Sequence, residues 1–336
     1  MSSYSKKVDD AITSATTLNN SSSELSQLSK LLSDKVLNEI LHQNIIHRNN
    51  SRNVGRSEIS VTWIDKIPLA KMTENTRDHF NQIISAKVEL ADALFVDINN
   101  SSTTSSCSAF LFQAKRAKTL ELPVVPVYMG RTINNSSLKE LTLLSQWPRF
   151  DLFPTSRSHH ASLHDITLPK ISTPPPYGWF GVCPPSLTNH NWKAHWMCSQ
   201  AVYGSEFQFT MGELLEFFYL KNSIQVGEHV DLILKADAWS QLISKILAIA
   251  KTYSTPTSYI SAHGEERTKI SRFINRNSYV MMEDIDPKLK HFGNLSAGKS
   301  NSLNLAENNK GKFPVIKYES WSSNDIEEHD MIQRRP

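Results

Sequence analysis

Between Lys87 and Lys118 the chain reads KVELADALFVDI, then NNSSTTSSCS, then AFLFQAKRAK. Two apolar, β-prone runs flank a Ser/Thr/Asn tip, the pattern of a β-hairpin with a long polar loop. The polar residues inside it constrain the chain further. Asp92 opens the first strand, and Gln113 and Lys115 stand two apart in the second, so they share a face. Pairing that is symmetric about the loop puts Ile98 opposite Ser108 and Asp92 opposite Ala114, beside Gln113 and Lys115. An acid, an amide and an amine then converge within an apolar sheet. Buried polar groups are costly unless they are paired or used. Asp97, on the same strand, is a second candidate acid. In that register it falls opposite Ala109, away from Lys115, which favours Asp92.

An acid on one strand with a Gln-x-Lys unit on the next, here Asp92…Gln113-Ala114-Lys115, resembles the signature of the PD-(D/E)xK nuclease superfamily. The Gln-x-Lys form followed by Arg116 is similar to the QxK branch seen in Mrr-like nucleases. Glu89-Leu90-Ala91-Asp92 and FLFQAKRAK also resemble a group of bacterial proteins with this core. Those carry a downstream Gln-Trp-Pro-x-Phe, here Gln146-Trp147-Pro148-Arg149-Phe150. The resemblance spans Lys87–Phe153.

It implies an α/β fold: a restriction-endonuclease-like mixed sheet flanked by helices, followed by a helical C-terminal extension. It implies a nuclease that hydrolyses DNA phosphodiester bonds with Mg²⁺ or Mn²⁺, in a restriction, defence or mobile-element setting. Carried over by motif, Asp92 supplies a carboxylate ligand and Gln113 its side-chain carbonyl, both suited to a hard, oxygen-seeking ion. Lys115 stabilises developing charge or orients the attacking water. Glu89, three residues before Asp92, is an outer carboxylate. The superfamily more often has an acid where Gln113 stands, so the metal is expected to bind more weakly here. The alternative is a catalytically inactive module of the same fold that binds nucleic acid or a protein partner. A third reading is another α/β fold in which Asp92 and Lys115 form a buried ion pair. A homodimer or a partner subunit would match the superfamily's habit.

Composition adds bounds. The chain has 336 residues, 39% of them hydrophobic, enough for one large α/β domain with appendages or for two domains. A net charge of +3 and a pI of about 8.6 permit nucleic-acid binding without arguing for it. Cys107, Cys183 and Cys198 are odd in number and form no C-x-x-C, which argues against a disulfide framework or zinc site and for a reducing compartment. Cys198 near His195 is a weak nucleophile candidate. The N-terminal residues have no apolar signal region, and no run approaches a membrane span. The expectation is a cytoplasmic protein that does not engage a membrane.

Four segments are expected: a flexible Ser/Asn-rich leader (1–30), the nuclease-like core (31–171), a helical extension packed on it (172–260) and a polar, partly flexible tail (261–336). The core should hold a helix through about His47, whose Glu39 could point to the site or to solvent. A strand follows over Glu58–Ile64, then a helix over Thr76–Lys87 with Phe80, Ile83 and Ile84 inward. After the hairpin come an extended edge at Pro123–Met129, an amphipathic helix over Ser137–Trp147 stopped by Pro148, and a short strand at Phe150–Phe153. The extension should open with an extended Gly178–Cys183. Helices over Phe207–Tyr219, with a Thr210/Glu213 capping box, and Asp237–Tyr253 follow. In the tail, Thr268–Arg276 is a basic stretch that could track phosphates or form a solvated face. Gly298-Lys299-Ser300 lacks the strand-to-helix context of a phosphate loop.

Overall fold

The computed structural model describes residues 2–16, 24–48, 54–64, 68–73, 75–100, 105–117, 123–127, 136–170, 172, 174–183, 196–253, 279–283 and 313–322. In chain order the elements are α1 (Ser3–Thr16), α2 (Glu24–Leu31), α3 (Asp34–Arg48), β1 (Val54–Ile64), β2 (Leu69–Met72), β3 (Val88–Glu89), β4 (Ala93–Asn100) and β5 (Ser105–Arg116). They continue with α4 (Ser136–Gln146), β6 (Phe150–Phe153), β7 (Leu163–Ile166), β8 (Gly178–Cys183), β9 (Met197–Gln200), β10 (Phe209–Thr210) and α5 (Met211–Leu220). The last are β11 (Glu228–Val230), α6 (Ala238–Tyr253), β12 (Tyr279–Glu283) and β13 (Phe313–Ser322).

The chain is mixed α/β. A nine-stranded mixed sheet runs in the order β10-β9-β8-β5-β4-β13-β1-β12, with β11 pairing the first half of β5. β4 and β5 form the expected antiparallel hairpin. The chain then passes through α4 and a small sheet (β3-β2-β6-β7) before β8 returns parallel to β5. Helices cover both faces of the hairpin, which is why its strands are apolar on both sides rather than alternating apolar with polar.

The two faces feed two separate cores. Leu94, Val96, Ala109 and Leu111 pack with α4 (Leu141, Leu144), α6 (Trp239, Leu242, Ile246) and the small sheet (Ala70, Phe150, Leu152). Ala93, Phe95, Phe110 and Phe112 pack with α1 (Tyr4, Val8, Ile12), α3 (Val36, Leu37, Ile40) and α5 (Leu214, Leu215, Phe218). Gly181 on β8 makes room for the second core: a Cβ there would stand 2.0 Å from Phe112 Cζ. The capping box of α5 is present, with Thr210 accepting from the Glu213 backbone and Glu213 from that of Thr210.

Four expectations need correction. The described first part of the leader is not loose, because α1 buries Tyr4, Val8 and Ile12 and packs against α3 and α5. Asp9 Oδ1 accepts the Gly212 N–H at 2.8 Å, at the start of α5. The expected helix over Thr76–Lys87 does not form. Asp78 Oδ1 accepts the N–H groups of Phe80 and Gln82 at 2.9 Å, and Asn81 takes a φ of 63°, so a side-chain-capped turn replaces the helical ladder. Phe80 and Ile83 are then exposed and only Ile84 is buried. The boundary at residue 171 cuts the main sheet, since β8 and β9 belong to it. The tail from 261 supplies β12 and β13, and β13 lies between β4 and β1, parallel to β4. Thr268–Arg276 and Gly298–Ser300 fall outside the described residues, as do Met129 and His195. No helix among the described residues is long and apolar enough to cross a membrane.

Candidate active site

The hairpin turn closes between Asn100 and Ser105, and the pairing runs from there through Ile98↔Cys107 to Ala93↔Phe112. This is one residue off symmetric pairing. A one-residue slip moves a whole strand's side chains to the other face. Ala93 opposite Phe112 carries Asp92 opposite Gln113, not Ala114, and the Asp92 N–H donates to the Phe112 carbonyl at 3.0 Å. In the expected register Asp92 would have shared the face of Ala114, away from Gln113 and Lys115. The observed register puts all three on one face.

There the side chains meet. Gln113 Nε2 donates to Asp92 Oδ2, and the same oxygen accepts the Ala114 N–H at 2.8 Å. Gln113 is 0% exposed, and its Oε1 finds no hydrogen-bond partner among the described residues. Lys115, one pleat further, reaches across to α4, where its Nζ lies 2.7 Å from Glu140 Oε2. Asp92, Lys115 and Glu140 are 8%, 7% and 3% exposed. Acid, amide, amine and acid thus form a buried row on the face that carries α4. Among the described residues no three His, Cys, Asp or Glu side chains cluster as metal ligands.

Glu140 is the residue that sequence reading missed. Its signal was present: Ser137, Glu140, Leu141 and Leu144 make one helical stripe, and all four are buried. A charge inside an apolar stripe needs a partner. Of the other expected residues, Glu89 lies in β3, opposite Leu69 of the small sheet, and is half-buried. Glu39 accepts from Gln43 one turn along α3, a helix of the opposite face. Trp147 of the Gln-Trp-Pro stretch is a core residue packed on Tyr177 and Trp239.

Asp97 is resolved by parity. It pairs with Ser108 and shares the face of Ala93 and Phe95. There it accepts a fork from Arg48, with Nη1 at 2.7 Å and Nη2 at 3.1 Å, and Lys221 Nζ stands 3.7 Å away. The Arg48 guanidinium also lies 5.3 Å from the centre of the Tyr318 ring. Burial works against the charge on Arg48, but Asp97 outweighs it and holds the pKa above its ordinary value. Burial pushes the Cys198 thiol well above its ordinary value, so it is not the ready thiolate that a nucleophile needs.

Comparison of the chain with models of protein families, with curated proteins and with solved structures finds no match.

Proposed function

We propose that this protein is a metal-dependent nuclease of the restriction-endonuclease-like class, acting on DNA phosphodiester bonds through Asp92, Gln113 and Lys115. The observation that carries the reading is the buried Gln113 carbonyl oxygen, without a hydrogen-bond partner among the described residues and beside the Asp92 carboxylate. Buried acceptor oxygens without a hydrogen bond also occur at Asp9 and Glu140; this one differs in standing beside the motif's carboxylate. An amide oxygen beside a carboxylate suits a hard divalent cation such as Mg²⁺ or Mn²⁺. Asp92 and Gln113 would hold that ion, which when bound supplies Lewis-acid stabilisation of a phosphoryl oxygen. Lys115 brings an ammonium to the same face, where it can donate charge-assisted bonds to a phosphate. The order of elements also supports the reading: a helix (α3), a strand (β1), the acid-bearing hairpin, a crossover through α4, and a strand parallel to β5.

The test is cleavage of supercoiled plasmid, linear duplex and single-stranded DNA with Mg²⁺ or Mn²⁺. The intact protein is compared with Asp92→Ala and Lys115→Ala. Metal-dependent cleavage lost in both variants is the expected result; no cleavage of any substrate by the intact protein would sink the reading. The second reading, an inactive module of the same fold that binds nucleic acid or a protein, is favoured by the neutral Gln113 and by the engagement of Lys115 with Glu140. Calorimetric titration with Mn²⁺ separates the two, because the inactive module binds none.

A further inference from the structure

Glu140 lies outside the motif that carries the proposed function, yet it makes an ion pair with the motif's cation. Its helix is fixed: Leu141, Leu143 and Leu144 are core residues on the face of Asp92 and Gln113. Lys115 sits on a strand in the interior of the main sheet, between β4 and β8. Both groups are buried, and either alone would be costly there, while a contact of 2.7 Å offsets part of that cost. Lysine also has a flexible four-carbon stem and rotatable donors. Left alone it samples many positions, whereas a carboxylate on a packed helix gives it one.

We propose that Glu140 is the positioning residue of this site: it acts through Lys115, holding its Nζ along the Gln113–Asp92 face until the anionic phosphodiester competes for it. This inference rests on the nuclease reading. A group that only aims another contributes where that other group acts, in the transition state. Its loss therefore lowers kcat and leaves KM near its intact value.

The experiment uses the full chain and four variants: Glu140→Gln, Glu140→Asp, Lys115→Met and the double Lys115→Met/Glu140→Gln. Steady-state cleavage with Mg²⁺ and unfolding in urea are measured for each. Glu140→Gln is expected to lose about 10²-fold in kcat, the scale of a misaimed catalytic group, with KM within about twofold. Glu140→Asp should recover part of the loss. The double variant should cleave no more slowly than Lys115→Met alone, because Glu140 has nothing left to aim. It should also unfold at higher urea than either single variant, because neither charge is stranded.

Cleavage by Glu140→Gln at the intact rate would overturn the inference and leave the nuclease reading in place. So would a double variant that loses the product of the two single losses. An intact protein that cleaves nothing would overturn the nuclease reading and the role of Glu140 in it. The urea series then still reports on the ion pair alone, so the two failures are told apart.

Discussion

Asp92 and Asp97 bracket one strand and face opposite cores, and the two carboxylates are used differently. Asp97 is held by a cation: Arg48 covers both of its oxygens in a fork, Lys221 stands behind, and the Tyr318 ring lies against the guanidinium. Asp92 accepts from two neutral amides, the Gln113 side chain and the Ala114 backbone. The cation on its face, Lys115, also contacts Glu140 of α4. The Asp97 cluster ties α3 to the sheet. The Asp92 row leaves the Gln113 carbonyl oxygen without a partner among the described residues. Burial alone therefore does not mark a site. What distinguishes the two faces is the kind of group beside the carboxylate: a guanidinium that neutralises Asp97, and beside Asp92 an amide whose acceptor oxygen could serve a cation.

The same substitution on the two faces should separate them most widely. Asp97→Asn strands the Arg48 guanidinium and is expected to cost about 3–5 kcal/mol of unfolding free energy. Asp92→Asn keeps an oxygen that can accept both amides and is expected to cost less than Asp97→Asn. Urea unfolding of both variants measures the difference. Equal costs would break the comparison and make Asp92 a structural residue. Replacing the fork as a unit, Arg48→Met with Asp97→Leu, should return most of the stability lost by Asp97→Asn, since apolar groups can replace a buried pair at little cost.

Gln113→Glu sharpens the comparison from the other side. It removes the donor that satisfies Asp92 and sets two acceptors against each other, at an expected cost of about 1–3 kcal/mol without metal. It also supplies the acid that the nuclease superfamily of the proposed function more often carries in such a motif. Added Mn²⁺ should then raise the melting temperature of Gln113→Glu by more than it raises that of the intact protein, because a ligand that binds only the folded state stabilises it by mass action. A melting temperature insensitive to Mn²⁺ in both proteins would argue that this row holds no ion.

How much of this was legible follows from how local each feature is. The hairpin, α4, α6 and the capping box of α5 follow from periodicity and from signals within a few residues. So does the shared face of Gln113 and Lys115, fixed by their spacing of two. The face of Asp92 does not, because it depends on where the turn closes, and one residue reverses it. Glu140 was half legible: its apolar stripe shows that it needs a partner, but only the packing of α4 says which. Arg48 reaching Asp97 and β13 entering between β4 and β1 join residues far apart in sequence, and no local pattern names such neighbours. Asp78 misled in the opposite way, because a helix-like spacing of Phe80, Ile83 and Ile84 lost to a carboxylate that captured the backbone locally.

The smallest effect concerns the second cation beside Asp97. Lys221 is 36% exposed and 3.7 Å from the carboxylate, so solvent screens most of its attraction. Lys221→Ala should therefore cost no more than about 1 kcal/mol, well below the loss from Asp97→Asn. Lys221 also ends α5 in the left-handed region, with a φ of 55°, where a side chain is strained and glycine is not. Lys221→Gly loses the same ion contact but relieves that strain, so it should be more stable than Lys221→Ala by about 1 kcal/mol. Urea midpoints of the two variants decide the matter. If Lys221→Gly and Lys221→Ala were both as unstable as Asp97→Asn, the Arg48 fork would not be what holds Asp97, and the cluster would be a three-membered network in which Lys221 carries a full share.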